Sequence, residues 1–202
     1  MLRKRRTYHH GDLRSALLRE AARTIKDEGV SGVTLRDVGK RLGVSRTALY
    51  RHFADKSALL AAIAREGFQT FARDLREAWE AAGGGREGLT AMGNAYVRFA
   101  VQNPGHYRIM FGGFNHLSDS DVELRSDAAA SFQVLLDAIV SMQAAGTIRG
   151  DDPMTLGHFI WATVHGIAML AIDGQLGDDP SASEGLTTFA LERLMTGVAE
   201  KA

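Results

Sequence analysis

Apolar residues recur at helical spacing along most of the chain, and glycines and capping residues separate the repeats. Leu17, Ala21 and Ile25 lie on one face of a first predicted helix, which begins near Asp12 and ends before Gly29, where a left-handed C-terminal cap is expected. No segment shows the period-two alternation that is typical of a half-buried strand. The pattern therefore predicts an all-α protein of about nine helices.

Two short helices follow the first, joined by a tight turn. Thr34 and Asp37 form a capping box, in which the hydroxyl and the carboxylate are each expected to accept from a free backbone amide at the start of a helix over 35–42. Gly43 supplies a positive φ for the turn into a third helix over 46–53. Two short helices joined in this way are a helix-turn-helix, the unit that places its second helix in the major groove of DNA.

The rest of the chain is also helical in its pattern. Asp55 caps a long helix that reaches to about Ala82, where three consecutive glycines stop it. The further predicted helices run over 89–102, 106–111 and 121–145, from Pro153 to near Gly174, and from a capping box at Ser181 and Glu184 almost to the terminus.

Charge is distributed unevenly along the chain, although the formal net charge is zero. Residues 1–56 hold 14 Lys+Arg and 6 Asp+Glu, a net charge of +8, and residues 57–202 hold the remaining 10 Lys+Arg and 18 Asp+Glu, a net charge of −8. Such asymmetry is typical of a chain whose basic part contacts nucleic acid. We therefore predict a DNA-binding domain over 1–56 and a larger helical domain over 57–202.

Composition narrows the class of protein further. Hydrophobic residues make up 45% of the chain and charged residues 24%, as in ordinary globular proteins, and the absence of cysteine excludes disulfides and thiolate metal sites. The basic start is followed by polar residues rather than an apolar segment, so we expect no export signal and a cytoplasmic location. The longest apolar run, 159–172, is short for a bilayer and contains His165, which favours a core helix over a membrane span.

The polar residues of the helix-turn-helix suit contact with double-stranded DNA. The guanidinium of Arg46 can donate to O6 and N7 of a guanine, and Thr47 can bond a base edge or touch a thymine methyl group. Tyr50 can reach a phosphate or a base, and His52 and Lys56 flank the end of the helix, where a phosphate would lie. The alternative interpretation is that these residues form an ordinary solvated face.

A basic arm precedes the first helix. It consists of Arg3, Lys4, Arg5 and Arg6, which have no apolar partner in the sequence. We expect this arm to lie in or along the minor groove when DNA is bound, with a solvated tail as the alternative.

The segment TLRDVGKRLGVSRTALYRHFADKSALL, from Thr34 to Leu60, resembles the DNA-binding domain of the TetR/AcrR family of bacterial transcriptional regulators, and the resemblance extends over about 13–64. One departure is Gly39, where the family usually has Ala, at an expected cost of about 1 kcal/mol in a helix interior. With the N-cap Ser45 included, the resemblance and the residue chemistry together give these candidate DNA-binding residues: Thr34, Arg36, Ser45, Arg46, Thr47, Tyr50, His52 and Lys56.

The segments NPGHYRIMF over 103–111 and WATVHG over 161–166 are similar to a subgroup of TetR-type C-terminal domains named for a Trp, a His and a Gly. This resemblance implies a homodimer formed through the last two helices and a pocket for a small-molecule effector. Those two helices also carry more apolar positions than one inward stripe requires, among them Leu170, Phe189 and Leu194.

Inward-facing aromatic and apolar residues are candidates for the effector pocket, although packing in a solid core is the alternative for each of them. The candidates are Phe71, Tyr96, Phe99, Tyr107, Met110, Phe132, Trp161 and His165. Of these, His165 and Tyr107 are the expected polar contacts with an effector.

The sequence thus predicts a regulator, most simply a repressor released from a palindromic operator by a small molecule. A helical enzyme with a basic arm is disfavoured because no phosphate-cradling glycine loop and no catalytic cluster of carboxylates or histidines is present. No metal or cofactor is expected, since no HExxH or similar ligand spacing occurs. An architectural DNA-binding protein without an effector is the remaining alternative.

Overall fold

The structure, a computed structural model, describes residues 10–112, 121–177 and 179–198. Within these ranges the chain forms α-helices and no β-strand, which confirms the predicted all-α class. The basic arm, Arg3 to Arg6, lies outside the described residues. The helices are α1 (His10–Glu28), α2 (Leu35–Arg41), α3 (Arg46–Tyr50), α4 (Lys56–Ala81), α5 (Gly85–Gln102), α6 (Pro104–Phe111), α7 (Val122–Ala144), α8 (Pro153–Ile172) and α9 (Pro180–Val198).

Capping interactions set the starts of the helices around the turn. Ser45 accepts from the Ala48 amide at 3.2 Å and so begins α3. At the start of α2, the Thr34 hydroxyl accepts from the Asp37 amide at 3.1 Å and itself donates to the Asp37 carboxylate at 2.6 Å. The expected reciprocal box is therefore formed in one direction only, because the carboxylate accepts from the hydroxyl.

Several helices begin earlier than their sequence patterns predict, among them α6, which begins at Pro104 instead of residue 106. α5 begins at Gly85 instead of residue 89. Its first turn contains glycines, which have a low helix propensity. The Trp79 ring packs closely on this turn, since a Cβ atom added at Gly88 would lie 2.8 Å from it, and this packing stabilises the turn. α9 begins at Pro180, because the Asp179 carboxylate accepts from the amide and the hydroxyl of Ser181.

The apolar residues form two cores. The first is built by α1, α2, α3 and the first half of α4, and it also takes in Ile109 of α6 and Leu124 of α7. The second is built by the rest of α4 and by α5 to α9. Met110 and Phe111 of α6 pack against both cores. The first core thus extends beyond residue 56 along α4, and α6 joins the two halves of the molecule.

Helix packing places α4 at the centre of the molecule. It contacts α5, α6 and α7, while α5 in turn packs against α8 and α9. Arg65 of α4 donates to the Asp127 carboxylate of α7 at 3.0 Å, and it also pairs with Glu123. These contacts hold α4 against α7 beside Ala64 and Leu124 of the first core.

Among the described helices, α8 is long and apolar enough, by length and composition, to cross a membrane. Its inward face supplies Leu156, Ile160 and Val164 to the second core, each at most 5% exposed. This buried face accounts for part of the apolar character of α8, and Phe159 and Leu170 are exposed on the same helix.

Candidate DNA-binding surface and ligand cavity

The third helix presents its polar side chains to solvent. Arg46, Thr47 and Tyr50 are exposed, and the guanidinium carbon of Arg46 lies 5.5 Å from the centre of the Tyr50 ring. A cation over an aromatic face is held by the ring quadrupole, so the two side chains occupy one face of the helix in a preferred arrangement. This face can offer a bidentate donor and a hydroxyl to the same stretch of a groove.

The eight candidate DNA-binding residues differ in solvent exposure and in their contacts within the protein. Thr34, Arg36 and Ser45 are exposed like the three residues of α3. His52 and Lys56 are half-buried, and the Lys56 ammonium donates to the Val30 carbonyl at 2.8 Å.

Arg41, which the sequence analysis did not single out, holds α2 against α1. Its guanidinium donates to the Thr24 hydroxyl at 2.9 Å and to the Glu28 carboxylate at 2.6 Å. The hydrogen bond and charge of Glu28 raise the pKa of Arg41. This arginine is therefore paired within the protein, and it links α2 to α1.

Gly39 lies where α2 meets α3. A Cβ atom added there would be 3.3 Å from Cδ2 of Leu49, which is 2% exposed. An alanine at this position would have a better helix propensity, but the close approach of the two helices limits the stability that it could add.

A cavity of about 580 Å³ lies in the second half of the molecule, between α4 and the helices around it. This volume is within the range of small-molecule sites, roughly 300–1,000 Å³. Its lining is formed by Phe68, Phe71, Leu75, Leu89, Met92, Gly93, Tyr96, Met110, Phe111, Ala128, Ser131, Phe132, Leu135, His158, Ile160, Trp161, Ala162, Val164, His165 and Leu191.

Six of the eight candidate pocket residues are on this lining: Phe71, Tyr96, Met110, Phe132, Trp161 and His165. The other two lie behind it. Phe99 is 3% exposed and packs with its ring centre 5.1 Å from that of Phe71. Tyr107 is fully buried, and its hydroxyl contacts His165.

Fourteen of the twenty lining residues are not among the predicted candidates, and two of these, Phe111 and His158, carry aromatic rings that contact predicted ones. The Phe111 ring centre lies 5.5 Å from that of Phe68 and 5.3 Å from that of His165, so this ring joins α4, α6 and α8. Its place at the end of the NPGHYRIMF segment was the available signal. His158 is exposed and stacks on Phe132 at 5.2 Å, and nothing in the sequence distinguishes it from a surface histidine.

A connected set of polar groups lies at one wall of the cavity. The Trp161 indole donates to the Tyr96 hydroxyl at 3.0 Å, and the hydroxyls of Tyr96 and Tyr107 are 3.0 Å apart. Nδ1 of His165 lies 2.7 Å from the Tyr107 hydroxyl and 3.0 Å from that of Tyr96.

Burial keeps this set uncharged at neutral pH. It raises the pKa of Tyr96 and of Tyr107 and lowers the pKa of His165, because each charged form would lose hydration inside the protein. The cavity wall therefore offers neutral hydrogen-bonding groups. Within the described part of the chain, no three histidines or carboxylates lie close enough together to hold a metal ion.

Comparison with known proteins identifies both halves of the chain. Residues 17–63 match the family described as "Bacterial regulatory proteins, tetR family", and residues 89–194 match "Tetracyclin repressor-like, C-terminal domain". The second match covers more than half of the chain. It carries the general family description, so the Trp-His-Gly subgroup remains a prediction.

Individual relatives agree with this family. An HTH-type transcriptional regulator of Mycobacterium bovis is 25% identical, with 87% of each chain covered. The tetracycline repressor protein class C of Escherichia coli is 47% identical over 25% of this chain and 23% of the repressor. A structure of a protein of unknown function from Rhodococcus sp. RHA1 superimposes with a TM-score of 0.85 at 34% identity, covering 97% of this chain and 100% of that one.

Members of this family and the matched homologues are transcriptional regulators and not enzymes. An N-terminal helix-turn-helix with an exposed third helix, joined to a helical C-terminal domain, is the arrangement that the structure shows here. The chain belongs to the TetR family and is a DNA-binding transcriptional regulator.

Proposed function

We propose that this protein is a cytoplasmic, homodimeric repressor that leaves a palindromic operator when a small molecule fills the cavity. The observation that carries the proposal is the course of α4. Phe68, Phe71 and Leu75 of this helix line the cavity, and its first residue, Lys56, bonds to Val30 in the DNA-binding half. A ligand that displaces α4 would therefore displace the helix-turn-helix.

The sixth helix offers a second connection between the cavity and the DNA-binding half. Met110 and Phe111 line the cavity, while Gly105 on the same helix packs so closely on α1 that a Cβ atom there would lie 2.1 Å from the Ala22 carbonyl oxygen. Such tight contact transmits a shift of α6 directly to α1. A difference of about 1–3 kcal/mol in ligand affinity between two states changes operator affinity roughly 5- to 150-fold.

A two-fold dimer through α8 and α9 would cover apolar residues that are exposed on these helices. Phe159 is 56% exposed and Phe189 is 55% exposed, with Leu170 and Leu186 beside them at 39% and 36%. Leu194, an expected interface residue, is 8% exposed and belongs to the second core. A dimer of this kind would present two copies of α3 to successive major-groove turns about 34 Å apart.

Repression is proposed from likeness to a relative that matches this chain over 51 residues and is named a tetracycline repressor. The proposed contacts with DNA are those of Arg36, Arg46, Thr47 and Tyr50 to the groove and its edges. Thr34, Ser45, His52 and Lys56 are proposed to contact the phosphates.

The test is release of DNA by small molecules. Operator fragments are selected from a random DNA library with the wild-type protein, and compounds that raise its melting temperature are then titrated into the complex. Ala128→Phe and Ala128→Trp, at a half-buried lining residue of α7, should fill the cavity and bind the operator as the wild type does without releasing it. Ala130→Phe, at an exposed position of α7, is the matched control and should respond normally.

If the filled variants release DNA as the wild type does, the cavity is not the effector site. If no compound that binds the protein changes operator affinity, the alternative of a DNA-binding protein without an effector is favoured instead.

A further inference from the structure

We infer that the cavity accepts an uncharged, largely aromatic molecule with one hydrogen-bond acceptor, such as a carbonyl oxygen, and that Nε2–H of His165 donates to that acceptor. The inference rests on the proposed function in taking this cavity as the effector site. It assigns the chemical class of the effector and the residue that selects it.

Counting hydrogens fixes the tautomer of His165. The Tyr96 oxygen accepts from the Trp161 indole, and two arrangements then give every buried hydrogen an acceptor. Either Tyr96 donates to Tyr107 and Tyr107 donates to Nδ1 of His165, or Tyr107 donates to Tyr96 and Tyr96 donates to Nδ1, so Nδ1 accepts in both. If Nδ1 carried the hydrogen instead, one of the two tyrosine hydroxyl hydrogens would have no acceptor among the described residues. Buried donors without acceptors are costly, so Nδ1 accepts and Nε2 carries the hydrogen.

That hydrogen is the free donor beside the tyrosines, while the other histidine of the lining, His158, is exposed and stacks on Phe132. Within the described residues Nε2 has no hydrogen-bond partner, whereas Nδ1 is taken up by the tyrosines. Tyr107 lies behind the lining and His165 lies on it, so the side of the ring opposite Nδ1 is available to an occupant. An occupant with an acceptor would satisfy this donor.

Apart from the exposed His158, the rest of the lining selects against charge. No Asp, Glu, Lys or Arg is among the lining residues, and the lining is dominated by phenylalanine, leucine and methionine side chains. Burial of an unpaired carboxylate or ammonium among such groups is strongly unfavourable. The rings of Phe71, Phe111 and Trp161 offer faces and edges that suit an aromatic occupant.

Three probes of matched shape test this selection in the full-length protein without DNA. They are 4-acetylbiphenyl, which carries a carbonyl, 4-isopropylbiphenyl, which lacks an acceptor, and biphenyl-4-carboxylate, which is charged. Calorimetric titration should show that the ketone binds about 10-fold more tightly than the hydrocarbon and at least about 100-fold more tightly than the carboxylate. Equal binding of ketone and hydrocarbon, tightest binding of the carboxylate, or no binding of any probe would overturn the inference.

Two substitutions separate the proposed donor from a purely structural role of His165. His165→Gln keeps a donor near the Nε2 position but loses the acceptor for Tyr107, and should retain the preference for the ketone. His165→Asn keeps an acceptor near the Nδ1 position but loses the donor, and should bind ketone and hydrocarbon equally. The reverse pattern would mean that His165 acts only by holding Tyr107.

Failure of the inference and failure of the proposed function are distinguishable. Binding and selectivity are measured without DNA, and release is measured separately by fluorescence anisotropy of labelled operator. A ketone that binds through His165 without releasing DNA supports the inference and contradicts effector release. Release by a charged compound whose binding Ala128→Phe abolishes supports effector release and contradicts the inference.

Discussion

Nζ of Lys56 donates a hydrogen bond to the carbonyl oxygen of Val30 at 2.8 Å, joining the start of α4 to the turn between α1 and α2. The ammonium thus has a partner inside the protein as well as the phosphate expected from sequence. It positions the helix that runs from the DNA-binding half into the cavity wall.

Lys56→Ala should therefore weaken binding to all DNA sequences alike and also lower the free energy of unfolding by about 1 kcal/mol. The control is Lys26→Ala, at an exposed residue of α1 that has no side-chain partner among the described residues, which should leave stability unchanged. Urea unfolding and binding isotherms measure the two effects. Unchanged stability of Lys56→Ala would show that the bond to Val30 contributes nothing.

Arg46→Ala should weaken DNA binding in a sequence-dependent way, unlike Lys56→Ala, because the Arg46 guanidinium is the best-placed bidentate donor on α3. We expect a loss of about 1–3 kcal/mol in operator binding and a relaxed preference at one base position in each half-site. Selection from a randomised site library measures the preference. An equal loss on every sequence would assign Arg46 to the phosphates instead.

Deletion of residues 2–6 tests the basic arm. If Arg3, Lys4, Arg5 and Arg6 bind phosphates, the log–log slope of affinity against salt concentration should flatten by about 0.9 for each phosphate that the shortened chain no longer neutralises. Titrations at a series of salt concentrations give this slope. A slope identical to that of the full chain would identify the arm as a solvated tail.

Phe189→Glu should convert the dimer to monomers with very weak operator binding, since this ring is 55% exposed on α9. Val122→Glu, at a residue of α7 that is 68% exposed, is the matched control and should remain dimeric. Leu194→Glu is expected to unfold the protein instead, because Leu194 is in the second core. Sedimentation that shows a dimer of Phe189→Glu would move the interface to another surface.

Stability should fall as the pH is lowered from about 7.5 to about 5. Burial lowers the pKa of His106 and of His165, so the unfolded chain takes up protons near the ordinary histidine pKa of about 6.5 while the folded chain resists them. The stabilisation that comes from keeping these two histidines neutral is therefore complete above that pKa, and the free energy of unfolding decreases as the pH falls below it. The double variant His106→Asn and His165→Asn should reduce this pH dependence, and equal slopes for variant and wild type would contradict the prediction.

The helices and the DNA-binding motif are predictable from sequence, because they depend on local interactions. Apolar spacing, the caps Thr34, Ser45 and Asp55, and the glycine turn at Gly43 act between residues a few positions apart, and the structure contains each of these helices. The first turn of α5 was not predicted, because it is stabilised by packing against Trp79 of the preceding helix and not by a local capping signal.

Which inward residues line the cavity and which fill the core depends on how the helices pack against one another. Helical periodicity gives the face of a residue but not its depth, so Phe99 and Phe71 look alike in sequence although only Phe71 is on the lining. The same limit applies to Leu194, which is buried, and Phe189, which is exposed. Depth depends on how distant helices pack together, and that packing is also what brings Tyr96, Tyr107 and His165 within hydrogen-bonding distance.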